Sequence, residues 1–201
     1  MEKTKIITKP VLIIVLFLFA SIKGACDEVK LLAKGDVVQG SYSIRTYAKQ
    51  DIPQLQNIIR LVRAEFGFDA KHVDAHLLEE ELTHTFDIYD GNENNYFVIE
   101  YDAKIVGGGG YAILSDNHKE ICEIKGMYLL QETRGLGLGS ILLEHLLQHA
   151  KSNGFEKCYL ETNDFMHGAN ALYTKFKFQL LNEPLLAAHK WTNRYYMKDL
   201  K

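Results

Sequence analysis

The chain has 201 residues, 47% hydrophobic and 24% charged, with a formal net charge of −3. That balance suits one globular domain with an N-terminal appendage, and it excludes the broad basic face on which nucleic-acid binding depends. Cys26, Cys122 and Cys158 are too few and too scattered for a disulfide framework or a zinc cluster. Cys122 and Cys158 read as small buried hydrophobes.

Residues 1–25 form a hydrophobic signal or anchor segment. Met1–Lys5 is a basic start, and Pro10–Ile22 is uncharged and nearly all apolar. The apolar run is shorter than the ~20 residues that span a bilayer and matches the ~7–15 of a signal-peptide core. Ser21, Gly24 and Ala25 supply small residues before Cys26, as a cleavage or lipoprotein site would, although Lys23 interrupts both patterns. An anchor that snorkels Lys9 and Lys23 is the third reading. Each puts the N-terminus at a membrane, and a basic start of this kind tends to stay on the cytoplasmic side. The side on which the rest of the chain lies is open. Residues 26–40, polar and containing Gly35 and Gly40, are a linker.

The folded domain spans residues 41–201. Tyr42–Ala48 alternates as a strand. Asp51 can cap a helix with Pro53 in its first turn, and Ile52, Leu55, Ile59, Val62 and Phe66 repeat at helical spacing up to Gly67. A second helix covers about Asp74–Thr83, with Leu77, Leu78 and Leu82 on its apolar side. His72 and His76 are four apart and Glu79–Glu81 follows. Surface histidines and a solvated acidic face explain these better than a metal site, and no metal is expected. The acids mildly favour a cationic partner.

Tyr96–Tyr101 and Lys104–Leu114 form a hairpin about Asp102-Ala103. Gly107–Gly110 within its second strand marks a bulge, a close approach of a ligand, or a weakly paired strand. Glu120–Leu130 is the next strand, and its alternation puts Glu123, Lys125, Met127 and Leu129 on one face. A helix follows from Ser140 to Ala150 with Leu138, Ile141, Leu142, Leu146 and Ala150 as its buried stripe, and Gly154 ends it. Cys158–Thr162 is a short strand, and Met166–Phe176 a helix with Met166, Ala169, Leu172, Tyr173 and Phe176 on one side. Lys190–Leu200 is a closing strand, with one further strand near Phe178–Leu181. This order describes an α/β domain with helices on a central sheet.

The segment from Met127 to Gly139 joins a hydrophobic strand to a glycine turn and then a helix, a place where backbone N–H groups and a helix dipole hold phosphate. The Lys-Ser/Thr pair of a P-loop is missing after Gly139, and the Gly-x-Gly-x-x-Gly register of a dinucleotide fingerprint is not met. Arg-x-x-Gly-x-Gly at Arg134, Gly137 and Gly139 is. Glu161-Thr162 resembles a Leu-Glu-Thr segment, and Ala169–Phe178 resembles Ala-x-x-x-Tyr-x-x-x-Gly-Phe. With these three segments the chain resembles the GNAT N-acetyltransferase superfamily from about Tyr42 to its end.

That resemblance implies a GNAT fold, a central mixed sheet flanked by helices, whose splayed strands hold acetyl-CoA as co-substrate. Arg134, Gly135, Leu136, Gly137, Leu138, Gly139 and Ser140 would hold the pyrophosphate. Met127, Tyr128 and Leu129 would pair with the pantetheine arm and offer N–H groups to the thioester oxygen. Tyr173 takes the position of the family's general acid for the CoA thiolate. Deprotonating the amine requires a base: Glu123 through a water, or Glu161 on the neighbouring strand. A Glu123–Lys125 ion pair and a core Tyr173 are the plain alternatives. Met166 and Lys177 depart from the family's asparagine and glycine, and Asn163 or Asn170 would substitute for the former. The function implied is transfer of an acetyl group to a primary amine of a small molecule, peptide or protein. Two alternatives stand beside it: a non-catalytic acyl-CoA-binding or membrane-tethered module, and a phosphate-binding domain unrelated to CoA. Exposure of Trp191 or Tyr195 would suggest a homodimer.

Overall fold

Alternation shows in β1 (Tyr42–Thr46), where Ile44 faces the core between more exposed neighbours. The central residues of β2 (Asn95–Tyr101) and nearly all of β3 (Lys104–Ile113) are instead buried on both faces. The computed structural model describes residues 41–67, 75–89, 93–187 and 192–201. The N-terminal segment, the linker, His72 and Trp191 lie outside them. Among the described residues no helix is long and apolar enough to cross a membrane.

The helices are α1 (Ile52–Glu65), α2 (Ala75–His84), α3 (Leu138–Ser152) and α4 (His167–Lys175), and the remaining strands are β4 (Ile121–Leu129), β5 (Lys157–Thr162), β6 (Gln179–Leu181) and β7 (Arg194–Asp199). They build a seven-stranded sheet in the order β1-β2-β3-β4-β5-β7-β6. Its pairs are antiparallel except β4–β5, which is parallel and needs α3 as its crossover. The α3 face is packed by Leu138, Leu142, Leu143 and Leu146 against Cys122, Ile124, Cys158 and Leu160. On the other face, Leu55, Ile58, Ile59 and Val62 of α1 meet Leu82, Tyr96 and Val98. Both described cysteines are free and fully buried, as hydrophobes of their size would be.

Asp51 does not cap α1. It closes a 3₁₀ turn, Lys49–Asp51, and its carboxylate reaches back to the Ala48 N–H at 2.7 Å. Two further bonds come from the Arg45 guanidinium, at 2.6 and 3.1 Å, which also binds Glu100. Arg45 thereby holds the carboxyl below the usual carboxylate range, against the cost of its burial.

Glu79 and Glu81 lie on an exposed face, as expected, but they are not without partners. Arg60 grips Glu79 at 2.7 and 2.8 Å, and Arg63 grips Glu81 at 3.0 and 3.2 Å. These forked pairs tie α2 to α1, so the acids are occupied and no longer argue for a cationic partner. His76 is exposed beside Glu80, and among the described residues no cluster suits a metal.

The glycine run in β3 is fully paired rather than loose. A Cβ on Gly108 would lie 2.7 Å from the Phe97 carbonyl, and one on Gly110 would lie 2.7 Å from the Asn95 carbonyl. Close strand approach therefore demands glycine there. Two register shifts accompany the run: on the β2 side at Ile99/Glu100, and on the β4 side within it, between Gly108 and Gly110.

The second shift reorganises β4. Gly110 pairs with Lys125 and Gly108 with Tyr128, so β4 carries one extra residue at Gly126, whose φ is +61°. Side-chain alternation therefore changes phase. Glu123, Lys125 and Tyr128 face α1, whereas Met127 and Leu129 pack in the α3 core. The expectation that Glu123, Lys125, Met127 and Leu129 share one face is thus corrected by the bulge.

Candidate active site

Parallel pairing of β4 with β5 runs only from Ile121–Ile124 against Lys157–Leu160. Beyond it the strands diverge, and a cavity of about 560 Å³ opens between them. Its walls are Met127, Tyr128 and Leu129 of β4, Val62 of α1 with Phe66 just after it, and Met166–Ala169, Leu172 and Tyr173 at α4. Its floor is the glycine turn and the start of α3, through Arg134, Gly135, Gly137, Gly139 and Ser140.

Gly135 and Gly137 have φ of +77° and +82°, which is why the turn needs glycine. Gly137 caps α3, and the N–H groups of Ser140 and Ile141 return to its carbonyl. From Gly135 to Gly139 the backbone N–H groups make no hydrogen bond to the described residues. With the helix dipole behind them, they form an anion cradle. Gly139 is set by packing: a Cβ there would touch Leu129 and Leu172 at 3.4 and 3.7 Å. Leu136 is half-buried against the core and Leu138 fully buried, so these two anchor the turn and offer only backbone to the cavity.

Arg134 is already engaged. Its Nε donates to the Leu129 carbonyl at 3.0 Å, its Nη1 binds the Glu65 carboxylate at 2.6 Å, and its guanidinium lies 5.8 Å from the Phe66 ring centre. Phe66 in turn meets Phe165, with ring centres 6.3 Å apart, so aromatic contact joins α1 to the segment before α4. A second cation, Lys175 of α4, reaches Ser140 Oγ at 3.3 Å.

Tyr173 lines the cavity from α4, buried against Phe178 and Tyr196. Burial pushes its phenol well above the ordinary value, so it holds its proton at neutral pH. Glu123 is buried and ion-paired to Lys125 at 2.7 Å, and it lies outside the cavity lining. Glu161 lies outside it too, accepting hydrogen bonds from Tyr159 at 2.9 Å and Thr192 at 2.5 Å. Neither carboxylate meets Tyr173 across the cavity.

The asparagines proposed in place of Met166 do other work. Asn170 donates to the carbonyls of Asn163 and Met166 at 2.7 and 2.9 Å and accepts from the Tyr196 hydroxyl at 2.8 Å. It staples the start of α4 to β5 and β7, and Asn163 supplies backbone to that staple. Met166 itself lines the cavity, with Thr162 Oγ1 donating to its sulfur at 3.7 Å. Lys177 stands at φ +62°, the geometry a glycine would take, and Phe178 N–H still closes onto the Tyr173 carbonyl at 3.0 Å. The turn is therefore kept, not altered. Tyr195 is half-buried within the sheet and donates to Thr192.

Val62, Phe66, Glu65, His167 and Lys175 were not legible as site residues. Phe66 reads from sequence as the end of an apolar stripe, and Glu65 beside it belongs to no motif. A Glu-Phe pair at the C-terminus of a helix carries no signal of the turn it meets 69 residues later.

The model of the acetyltransferase (GNAT) family matches residues 55–178. The uncharacterized N-acetyltransferase YjgM of Escherichia coli is 35% identical over 142 residues, which is 71% of this chain and 84% of that protein. Among solved structures, an acetyltransferase of the GNAT family from Staphylococcus aureus superposes with a TM-score of 0.68 at 20% identity, covering 80% of this chain and all of that one. A phosphinothricin acetyltransferase from Sinorhizobium meliloti, in complex with AcCoA, gives 0.62 at 16% identity over 79% of this chain and 88% of its own.

Proposed function

The chain belongs to the acetyltransferase (GNAT) family of acyltransferases, and we propose that it moves an acetyl group from acetyl-CoA to a primary amine of a small molecule, peptide or protein. The observation that carries this reading is the cavity at the β4–β5 divergence, with the cradle of N–H groups at Gly135–Gly139 as its floor. The solved Sinorhizobium relative in complex with AcCoA supports the same ligand here.

In this reading the pyrophosphate sits on the cradle beside Arg134, with Lys175 and Ser140 at its edge. The pantetheine arm runs along Met127–Leu129, which β5 leaves without a neighbour. Direct attack then follows. The amine nitrogen bonds to the thioester carbon, the C–S bond breaks, and the thiolate takes the Tyr173 proton. A raised phenol can still serve, because the thiolate is expelled into the same poorly solvated cavity and is destabilised by the same cause. The amine's proton passes through water to Glu123, with Glu161 the second choice. Both stand behind the cavity wall, so a water relay is required rather than direct contact.

Calorimetric titration of acetyl-CoA into the full chain tests the reading, with ATP and NAD as competitors. Saturable binding that neither competitor displaces supports it. A folded chain that leaves millimolar acetyl-CoA unbound refutes it.

A further inference from the structure

We propose that Tyr128 is a second functional tyrosine of this site, whose hydroxyl, held by Arg63, donates a hydrogen bond to the carbonyl oxygen of the bound thioester. The proposal rests on the acetyl-transfer reading above. Regular alternation would aim Tyr128 into the α3 core. The bulge at Gly126 turns it instead to the α1 face, where it lines the cavity. That bulge is pinned, since the Tyr96 hydroxyl donates to the Gly126 carbonyl at 3.0 Å.

Arg63 fixes the phenol. Its Nε donates to the Tyr128 oxygen at 3.3 Å, and its guanidinium carbon is 6.0 Å from the ring centre. The guanidinium cannot swing away, because Glu81 holds its other edge at 3.0 and 3.2 Å. One lone pair of the phenol oxygen is thereby spent on a cation. Its O–H has no acceptor among the described residues, and the neighbouring positive charge makes it a stronger donor. Tyr89, Tyr96 and Tyr173 all lie within electrostatic reach of it. Tyr128 and Tyr173 thus share the cavity but come from β4 and α4.

The two phenols divide the chemistry. As the amine nitrogen bonds to the carbonyl carbon, the C=O π pair moves onto oxygen, and Tyr128 shares its proton with that oxygen without losing it. When the C–S bond breaks, the pair returns to re-form C=O and the thiolate takes a proton from Tyr173. The nitrogen's proton leaves through water to the acceptor-side base.

The test is Tyr128→Phe, which removes one oxygen and leaves the ring. Acetyl-CoA labelled with carbon-13 at the carbonyl is bound to each protein, and its stretch is read by infrared difference spectroscopy. Wild type should show the stretch at lower frequency than the variant. Transfer to a panel of primary amines should lose roughly 100-fold in kcat, while the calorimetric affinity for acetyl-CoA stays within about twofold. Arg63→Met keeps the hydroxyl and breaks its tether, so its loss should be smaller, roughly fivefold to tenfold. An equal loss in both variants would mean that the tether is structural and would overturn the proposal. Equal stretches in wild type and Tyr128→Phe, with bound acetyl-CoA, would overturn it alone. Failure of the wild type to bind acetyl-CoA would overturn the acetyl-transfer reading with it.

Discussion

Replacing Arg134 tests how the cradle holds an anion beside a cation that Glu65 already engages. From the motif alone Arg134 is a cation waiting for phosphate. In the structure its Nη1 is 2.6 Å from Glu65, so a bound pyrophosphate must share it. Replacing Arg134 with alanine removes one charge-assisted hydrogen bond, about 1.5–3 kcal/mol. It also strips Glu65 of its partner and leaves a carboxylate facing the anion. At roughly 6 Å in water-like surroundings that repulsion is about 0.7 kcal/mol, but it is already present in the wild type and adds nothing to the difference. The lost bond alone, about 2.3 kcal/mol at the middle of its range, means roughly 50-fold weaker acetyl-CoA binding. The N–H cradle is untouched, so binding is reduced, not abolished. Glu65→Gln has the opposite sign: it releases Arg134 and removes the repulsion, and affinity should rise about threefold. The double variant should fall between the two. Titration calorimetry at fixed ionic strength reads all four proteins. Weaker binding in Glu65→Gln would refute the reasoning, because Glu65 would then be orienting Arg134 rather than competing for it.

Tyr173→Phe should cost roughly 100-fold in kcat with acetyl-CoA affinity retained. Because burial raises the phenol, the wild-type rate should show no alkaline fall from Tyr173 below about pH 10; such a limb, lost in the variant, would keep Tyr173 as the acid but contradict its raised phenol, whereas an unchanged kcat in the variant would contradict the assignment. Lys177→Gly should raise stability by about 0.5 kcal/mol, the relief of a left-handed lysine at about 1–2 kcal/mol less the glycine's unfolded-state entropy of about 0.5–1 kcal/mol. That corresponds to a Tm gain of about 1–2 °C, and a lowered Tm would mean that Lys177 makes a contact worth more than its strain. Asp51→Asn should destabilise by about 2 kcal/mol, since Arg45 loses two charged bonds. Arg45 holds the Asp51 carboxyl below the usual carboxylate range, so its contribution is fully present above that range and is lost as pH falls through the folded value. Urea unfolding of the wild type should therefore weaken below about pH 4, whereas the variant should show a smaller acid loss.

The cofactor loop is the part of the site that the sequence spells out, because its function is carried by backbone and the glycines that permit that backbone are local. The family's strand and helix order is legible for the same reason: each element announces itself through periodicity within its own length. Side-chain roles at a distance are not. Glu79 and Glu81 read as acids of a solvated face, and nothing in the sequence pairs them with Arg60 and Arg63 of α1, which α2 lies beside. Asn170 reads as a substitute for the family's asparagine until Tyr196, 26 residues on, takes its oxygen. Lys177 reads as a departure from the family's glycine, although the left-handed conformation is only costly for lysine and the Tyr173–Phe178 bond keeps the turn closed.

The bulge at Gly126 is the deepest of these cases, because one residue changes what every later side chain of β4 can do. Without it Met127 would stand beside Lys125 on the α1 face and Tyr128 would be buried under α3. With it the strand gives apolar packing to the α3 side and a phenol to the cavity, just where β5 departs. The glycines opposite, Gly108 and Gly110, leave no room for a Cβ against β2, so β3 can follow the shift closely. Tyr96 then locks it from below through the Gly126 carbonyl. A glycine run in one strand, a lone glycine in the next and a tyrosine two strands away thus form a single device. Its product is a sheet that splits at the point where the chemistry needs space, with Tyr128 lining the split.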